Sequence, residues 1–210
     1  MSKVAEVKAM VEAGKTKIVP GLVQEALDAG CSATEILTGM IEAMNAVGDK
    51  FSAGEIFVPE MLVAAKAMSK GVEVLKPHLA AGSNISLGTC VIGTVQGDLH
   101  DIGKNLVAMM LEGVGFEVVD LGVDVAPEKF LNTAKEKENV KIVALSGLLT
   151  TTMPAMRETV SLIKNSGLPV KVIVGGAPVT QEMADEYGAD GFAPDAGGAA
   201  AKARELVGAQ

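Results

Sequence analysis

The hydrophobic period of this chain changes near residue 85, and that change constrains the fold more than any single motif. Before it, apolar residues recur only at helical spacing. After it, short apolar runs alternate with helical stretches. A helix is expected over Val4–Ala13, stopping at Gly14, and a second over Gly21–Ala29, stopping at Gly30, since glycine is favoured just past a helix end. Ser32-Ala33-Thr34-Glu35 is a capping-box signature, in which the Ser and Glu side chains each satisfy an otherwise unpaired backbone N–H. Ile36, Met40, Ala43 and Val47 follow on one helical face. A further helix opens near Pro59, a residue tolerated in a first turn, with Met61, Ala65, Met68, Val72 and Leu75 as its stripe. Four amphipathic helices on short loops predict an antiparallel bundle over residues 1–85.

Pro77–Asn84 is rich in breakers and reads as a linker. Beyond it, strands are expected at Ser86–Val95, Glu117–Leu121, Ile142–Leu145 and Val170–Val174, with a short one at Gly191–Ala193. Helices are expected at Asp101–Leu111, Glu128–Glu138, Pro154–Asn165 and Gln181–Tyr187, and from Ala199 onward. Strand and helix in alternation predict a parallel sheet covered on both faces over residues 86–210. Such sheets bind ligands beyond the carboxyl ends of their strands, beside the point where strand order reverses. The charge run Lys135–Glu138 reads as a solvated helix end.

Composition removes several function classes. The formal net charge is −8 and there are six aromatic residues, five Phe and one Tyr. Neither the positive footprint nor the stacking surface of a nucleic-acid binder is present. No apolar run reaches the roughly 18–20 residues of a membrane span. The N-terminus alternates charged with apolar residues, unlike a signal peptide, and Cys31 and Cys90 suggest no disulfide framework. A cytoplasmic protein is expected.

The most informative stretch is Gly97-Asp98-Leu99-His100-Asp101-Ile102-Gly103-Lys104-Asn105, directly after the first strand. A phosphate-binding loop needs four residues between its glycines and then Lys-Ser or Lys-Thr. Here five intervene and Asn105 follows Lys104, so that reading fails. A zinc site needs three or four ligands, and His78, His100, Cys31 and Cys90 are scattered. The remaining reading is a single histidine presented to a metal whose other ligands come from elsewhere, with Asp98 fixing its tautomer. An isolated Asp-x-His is otherwise an ordinary solvated loop.

Asp98-x-His100-x-x-Gly103, followed by Ser146-x-Leu148 after the third strand and Gly175-Gly176 after the fourth, resembles the cobalamin-binding signature. Val47-Gly48-Asp49-Lys50-Phe51 and Glu55-Ile56-Phe57-Val58-Pro59 resemble the helical cap of methyl-carrying corrinoid modules. These occur within methionine synthase and as the small corrinoid proteins of methylamine, methanol and methoxyaromatic methyltransferase systems. The resemblance covers essentially the whole chain. It implies an N-terminal four-helix bundle cap joined to a flavodoxin- or Rossmann-like α/β domain with a five-stranded parallel sheet.

The resemblance further implies that His100 is the lower axial ligand of cobalt, with Asp98 behind it and Thr152 standing where methionine synthase has Ser. Gly97, Leu99, Asp101, Gly103, Ser146, Leu148, Thr150, Gly175 and Gly176 would line the cofactor, the glycines allowing close backbone approach to its nucleotide tail. Ser146 and Thr150 otherwise read as strand-end and helix-cap residues. Phe51, and Val58 in place of Leu, would shield the upper face; both also suit a bundle core. The implied function is a methyl carrier whose cobalamin cycles between Co(I) and methyl–Co(III). Its partners would be a donor-specific methyltransferase, a second methyltransferase serving tetrahydrofolate or coenzyme M, and a reductive activase. The chain would be a component of the system with no catalysis of its own. The small subunit of an adenosylcobalamin mutase shares Asp-x-His-x-x-Gly without the expected cap. A cobalamin-responsive regulator would normally add a DNA-binding segment.

Overall fold

The computed structural model describes residues 2–78 and 86–209. The chain divides into two compact units meeting in sequence at Ile85/Ser86. Of the linker expected at Pro77–Asn84, residues 79–84 lie outside those described, and Lys76–His78 form a short 3-10 turn.

The first unit is built from α1 (Lys3–Glu12), α2 (Val19–Asp28), α3 (Ala33–Ser52) and α4 (Val58–Leu75). The capping box forms as its sequence predicts. Ser32 Oγ accepts from the Glu35 N–H, and the Glu35 carboxylate accepts from the Ser32 N–H at 3.0 Å. Helix α1 packs on α2 and α3, and α4 packs on the same two, which closes the bundle. Its core is Ile36, Met40, Met44, Met61, Met68 and Leu75, all essentially without exposure. Unbranched thioether side chains fill such helix crossings without needing a unique shape.

The second unit alternates β1 (Thr89–Thr94), α5 (Ile102–Gly113), β2 (Glu117–Asp120), α6 (Pro127–Glu136), β3 (Val140–Ser146), α7 (Met153–Asn165), β4 (Lys171–Gly175), α8 (Gln181–Tyr187), β5 (Gly191–Ala193) and α9 (Ala196–Leu206). The strands pair in parallel in the order β2-β1-β3-β4-β5. Strand alternation sorts the core. Val91, Val143, Leu145, Val172 and Val174 meet Phe130, Met156 and Val160 from α6 and α7. Ile142, Ala144 and Ile173 point the other way and are also buried. All six residues of β1 are buried, as expected of a central strand covered on both faces.

Several element boundaries differ from the sequence reading by a few residues, β1 opening at Thr89 rather than Ser86 among them, and two of the shifts have a visible cause. Helix α6 ends at Glu136 rather than Glu138, because the sheet claims the next residues. The Thr89 hydroxyl donates to the Glu138 carbonyl at 3.0 Å and the Thr89 N–H to the Asn139 carbonyl at 2.8 Å. Helix α9 begins at Ala196 rather than Ala199, because Asp195 caps it by accepting from the Gly198 N–H at 2.8 Å. Among the described residues, no helix is long and apolar enough to cross a membrane.

Candidate functional site

Strand order reverses at β1, which lies between β2 and β3. The loops leaving β1 and β3 therefore diverge to opposite faces and leave a crevice at their carboxyl ends. Asp98 and His100 stand in the first loop; Leu148, Leu149 and Thr152 stand in the second, the last within a 3-10 turn at Thr150–Thr152.

Asp98 joins the two loops and has no solvent exposure. Its Oδ1 accepts from the His100 N–H at 3.1 Å and lies 2.7 Å from His100 Nδ1. Its Oδ2 accepts from the Leu148 N–H at 2.6 Å and the Leu149 N–H at 3.1 Å, with Thr152 Oγ1 at 3.3 Å. Burial favours the protonated acid, but the Leu148 N–H, the His100 ring and the remaining backbone donors outweigh it. They hold the Asp98 carboxyl well below the usual carboxylate range. An ionised carboxylate only accepts, so Nδ1 of His100 carries the proton and Nε2 presents its lone pair. The imidazole is about half exposed, 52% of its side-chain surface.

Thr152 has one hydroxyl proton and two acceptors. Its bond to the Leu149 carbonyl is 2.8 Å, shorter than its approach to Asp98. The proton goes to Leu149, and the hydroxyl braces the turn that supplies two N–H groups to Asp98. Lys104 is buried, 2% exposed, and paired with Asp120 at the end of β2 and with Asn105. That arrangement holds α5 to β2.

The rim is apolar. Leu99 and Ile102 are 72% and 77% exposed, and Leu148 and Leu149 are exposed beside them in the fold's second loop. Four large apolar side chains left in water at one end of a sheet mark a surface meant to be covered. Gly97 and Asp101 are exposed in the first loop. Gly103, in the first turn of α5, has nothing within 4 Å of where a Cβ would stand, so a side chain there would fill open space. Ser146 is half-buried and Thr150 exposed, and neither hydroxyl has a partner among the described residues. Gly175 and Gly176 follow β4. At Gly176 a Cβ would stand 1.9 Å from the Gly147 carbonyl oxygen, so the close backbone approach at that position is to the β3–α7 loop. Phe51 lies in the last turn of α3 and Val58 opens α4, both half-buried within the helical unit.

Sequence reasoning missed Leu149, Thr94, Ile102 and Asp124. The exposed pair Leu148-Leu149 was a visible signal; the others gave none. Among the described residues, no three or more His, Cys, Asp or Glu side chains gather to hold an ion. His100 therefore suits a metal that arrives with most of its ligands already in place. A planar macrocycle presenting an apolar face fits the exposed leucines and isoleucine, the free ring nitrogen and the space at Gly103.

Comparisons with known proteins agree with that chemistry. The B12 binding domain family matches residues 88–203, and a second family of the same description matches residues 4–76. Dimethylamine corrinoid protein 1 of Methanosarcina acetivorans is 48% identical over 172 residues, 80% of each chain. The structure of a cobalamin-binding protein from Desulfitobacterium hafniense superposes with a TM-score of 0.82 at 33% identity, over 97% of this chain and 98% of that one. A chain of the methanol:cobalamin methyltransferase complex of Methanosarcina barkeri gives 0.82 at 27% identity, over 99% of this chain and 80% of its own.

Proposed function

This chain belongs to the B12-binding domain family, and from that premise we propose that it is the corrinoid methyl carrier of a methyltransferase system. The single observation that carries the reading is His100. Its Nδ1 proton is held by the buried, ionised Asp98, and Leu99, Ile102, Leu148 and Leu149 at the same end of the sheet are exposed.

When bound, the corrinoid supplies a cobalt centre able to accept a methyl group and give it up. The protein's residues bind and orient. His100 Nε2 would hold the cobalt, and Asp98 fixes the tautomer that leaves that nitrogen free. Thr152 braces the turn that holds Asp98. Leu99, Ile102, Leu148 and Leu149 would pack on the apolar parts of the macrocycle, with Gly97 and Asp101 beside them. Gly103, Ser146 and Thr150 receive the nucleotide tail, a role supported by the open space at Gly103 and the unpartnered hydroxyls, while the Gly175-Gly176 pair lets the loop after β4 pack closely on the β3–α7 loop. Phe51 and Val58 are the helical unit's proposed cofactor contacts, on the strength of their resemblance to methyl-carrying modules. Residues 1–85 form the helical cap and residues 86–210 the cofactor domain.

Methyl transfer itself belongs to partners. The likeness to a chain of a methanol:cobalamin methyltransferase complex supports a donor-specific methyltransferase. A second methyltransferase, acting on tetrahydrofolate or coenzyme M, and a reductive activase complete the cytoplasmic cycle. The 48% identity to a dimethylamine corrinoid protein makes methylated amines the first donors to assay.

The test is the visible spectrum of the protein reconstituted with cobalamin, beside His100→Ala treated identically. The wild type should bind one corrinoid per chain with a histidine-ligated spectrum that the variant lacks. A wild type that retains no corrinoid overturns the function and the site assignments together.

A further inference from the structure

Asp98 holds the ring of His100, and two other residues hold the loop that carries it. Thr94, the last residue of β1, is wholly buried, and its hydroxyl donates to the His100 carbonyl at 2.8 Å. The backbone of Thr94 is itself committed to the neighbouring loop. Its N–H donates to the Gly122 carbonyl at 2.9 Å and its carbonyl accepts from the Val125 N–H at 3.0 Å. The hydroxyl therefore adds a tie from the central strand to His100.

The second tie comes from the β2–α6 loop. Asp124 sits at φ +53°, a left-handed conformation that non-glycine residues seldom adopt. In that conformation its Oδ1 accepts from the Gly97 N–H at 2.7 Å, while its own N–H donates to the Asp98 carbonyl at 2.9 Å. With the His100 N–H on Asp98, the loop backbone is held at residues 97, 98 and 100. Of the polar groups of His100, only Nε2 is left without a partner among the described residues.

Resting on the corrinoid reading above, we infer that Thr94 and Asp124 are positioning residues for His100, setting how far Nε2 reaches toward the cofactor. Their hydrogen bonds fix the backbone from which the imidazole projects. Releasing either lets the loop relax and withdraws His100.

The test uses the full chain labelled with 15N-histidine and loaded with cob(II)alamin, in which the two-line splitting of a 15N ligand in the electron paramagnetic resonance spectrum separates histidine from the cofactor's own 14N base. Thr94→Val and Asp124→Gly should each lower the ratio of ligated to unligated cobalt by about fivefold, the size of one ordinary hydrogen bond. Corrinoid stoichiometry should be unchanged. Thr94→Ser and Asp124→Asn, which keep the hydroxyl and an acceptor, should restore ligation. Wild-type ratios in both Val and Gly variants overturn the inference. If Thr94→Val fails to fold, Asp124→Gly decides alone, since glycine adopts φ +53° without strain. A second readout needs no cofactor: the Nδ1 proton resonance of His100, sharp in the corrinoid-free wild type, should broaden in Asp124→Gly. A wild type that takes up no corrinoid sinks the proposed function, whereas an unchanged proton resonance sinks the positioning role.

Discussion

Gly103, in the first turn of α5, and Gly176, in the loop after β4, lack side chains for opposite reasons. At Gly176 a methyl group would stand 1.9 Å from the Gly147 carbonyl oxygen, at φ +127°. Backbone would have to part from backbone. Gly176→Ala should therefore destabilise the corrinoid-free protein by about 3 kcal/mol or more, measured by urea unfolding. At Gly103 nothing stands within 4 Å of a Cβ, and alanine is the better helix former. Gly103→Ala should leave stability unchanged or raise it by about 0.5–1 kcal/mol, while weakening corrinoid uptake. Equal uptake by this variant would remove the nucleotide tail from that space.

At the scale of elements, Asp190 links three of them. It opens the turn into β5 and accepts the Val172 N–H of β4 at 2.8 Å, Lys164 of α7 at 2.9 Å and Lys171 at 3.4 Å. Burial pushes its carboxyl up, but the Val172 N–H and the Lys164 ammonium outweigh that and bring it below the usual value. A depressed carboxylate adds stability above the ordinary carboxylate range and loses it as pH falls through the folded-state pKa. The urea midpoint should fall with acidification in the wild type. In Asp190→Asn it should be lower near neutrality and flatter toward acid, so that the two curves converge. Equal acid limbs would dissociate Asp190 from this effect. These elements were largely legible in the sequence, because periodicity and caps are local signals. The capping box at Ser32–Glu35, the buried run of β1 and the Asp-x-His loop all announce themselves within a few residues. The ties at Thr94 and Asp124 do not. The bond from Gly97 to Asp124 spans 27 residues and that from Leu149 to Asp98 spans 51, so their pairing exists only once the strands are in register. The end of α6 was misjudged for the same reason, since Thr89 draws Glu138 and Asn139 into the sheet from far along the chain.

At the scale of the molecule, the two units carry separate cores and separate reporters. Cys31 follows α2 and is half-buried; Cys90 lies in β1 without exposure, and burial pushes its thiol far above the usual value. A thiol reagent near neutral pH should label one cysteine in the folded protein and two after denaturation. Labelling of Cys90 should track the emission of Tyr187, the one tyrosine, because both belong to the α/β unit. Reaction at Cys90 well before that emission changes would mean that β1 opens on its own. The complete burial of β1 then reaches into the working life of the site. Local openings spare strands covered on both faces, which give way only when their cooperative unit gives way. The loop bearing His100 is tied by Thr94 to that strand rather than to a fraying edge. His100 is thus mounted on the last part of the sheet to exchange its amide hydrogens, and the α/β unit will lose the geometry of that loop and its fold in a single event.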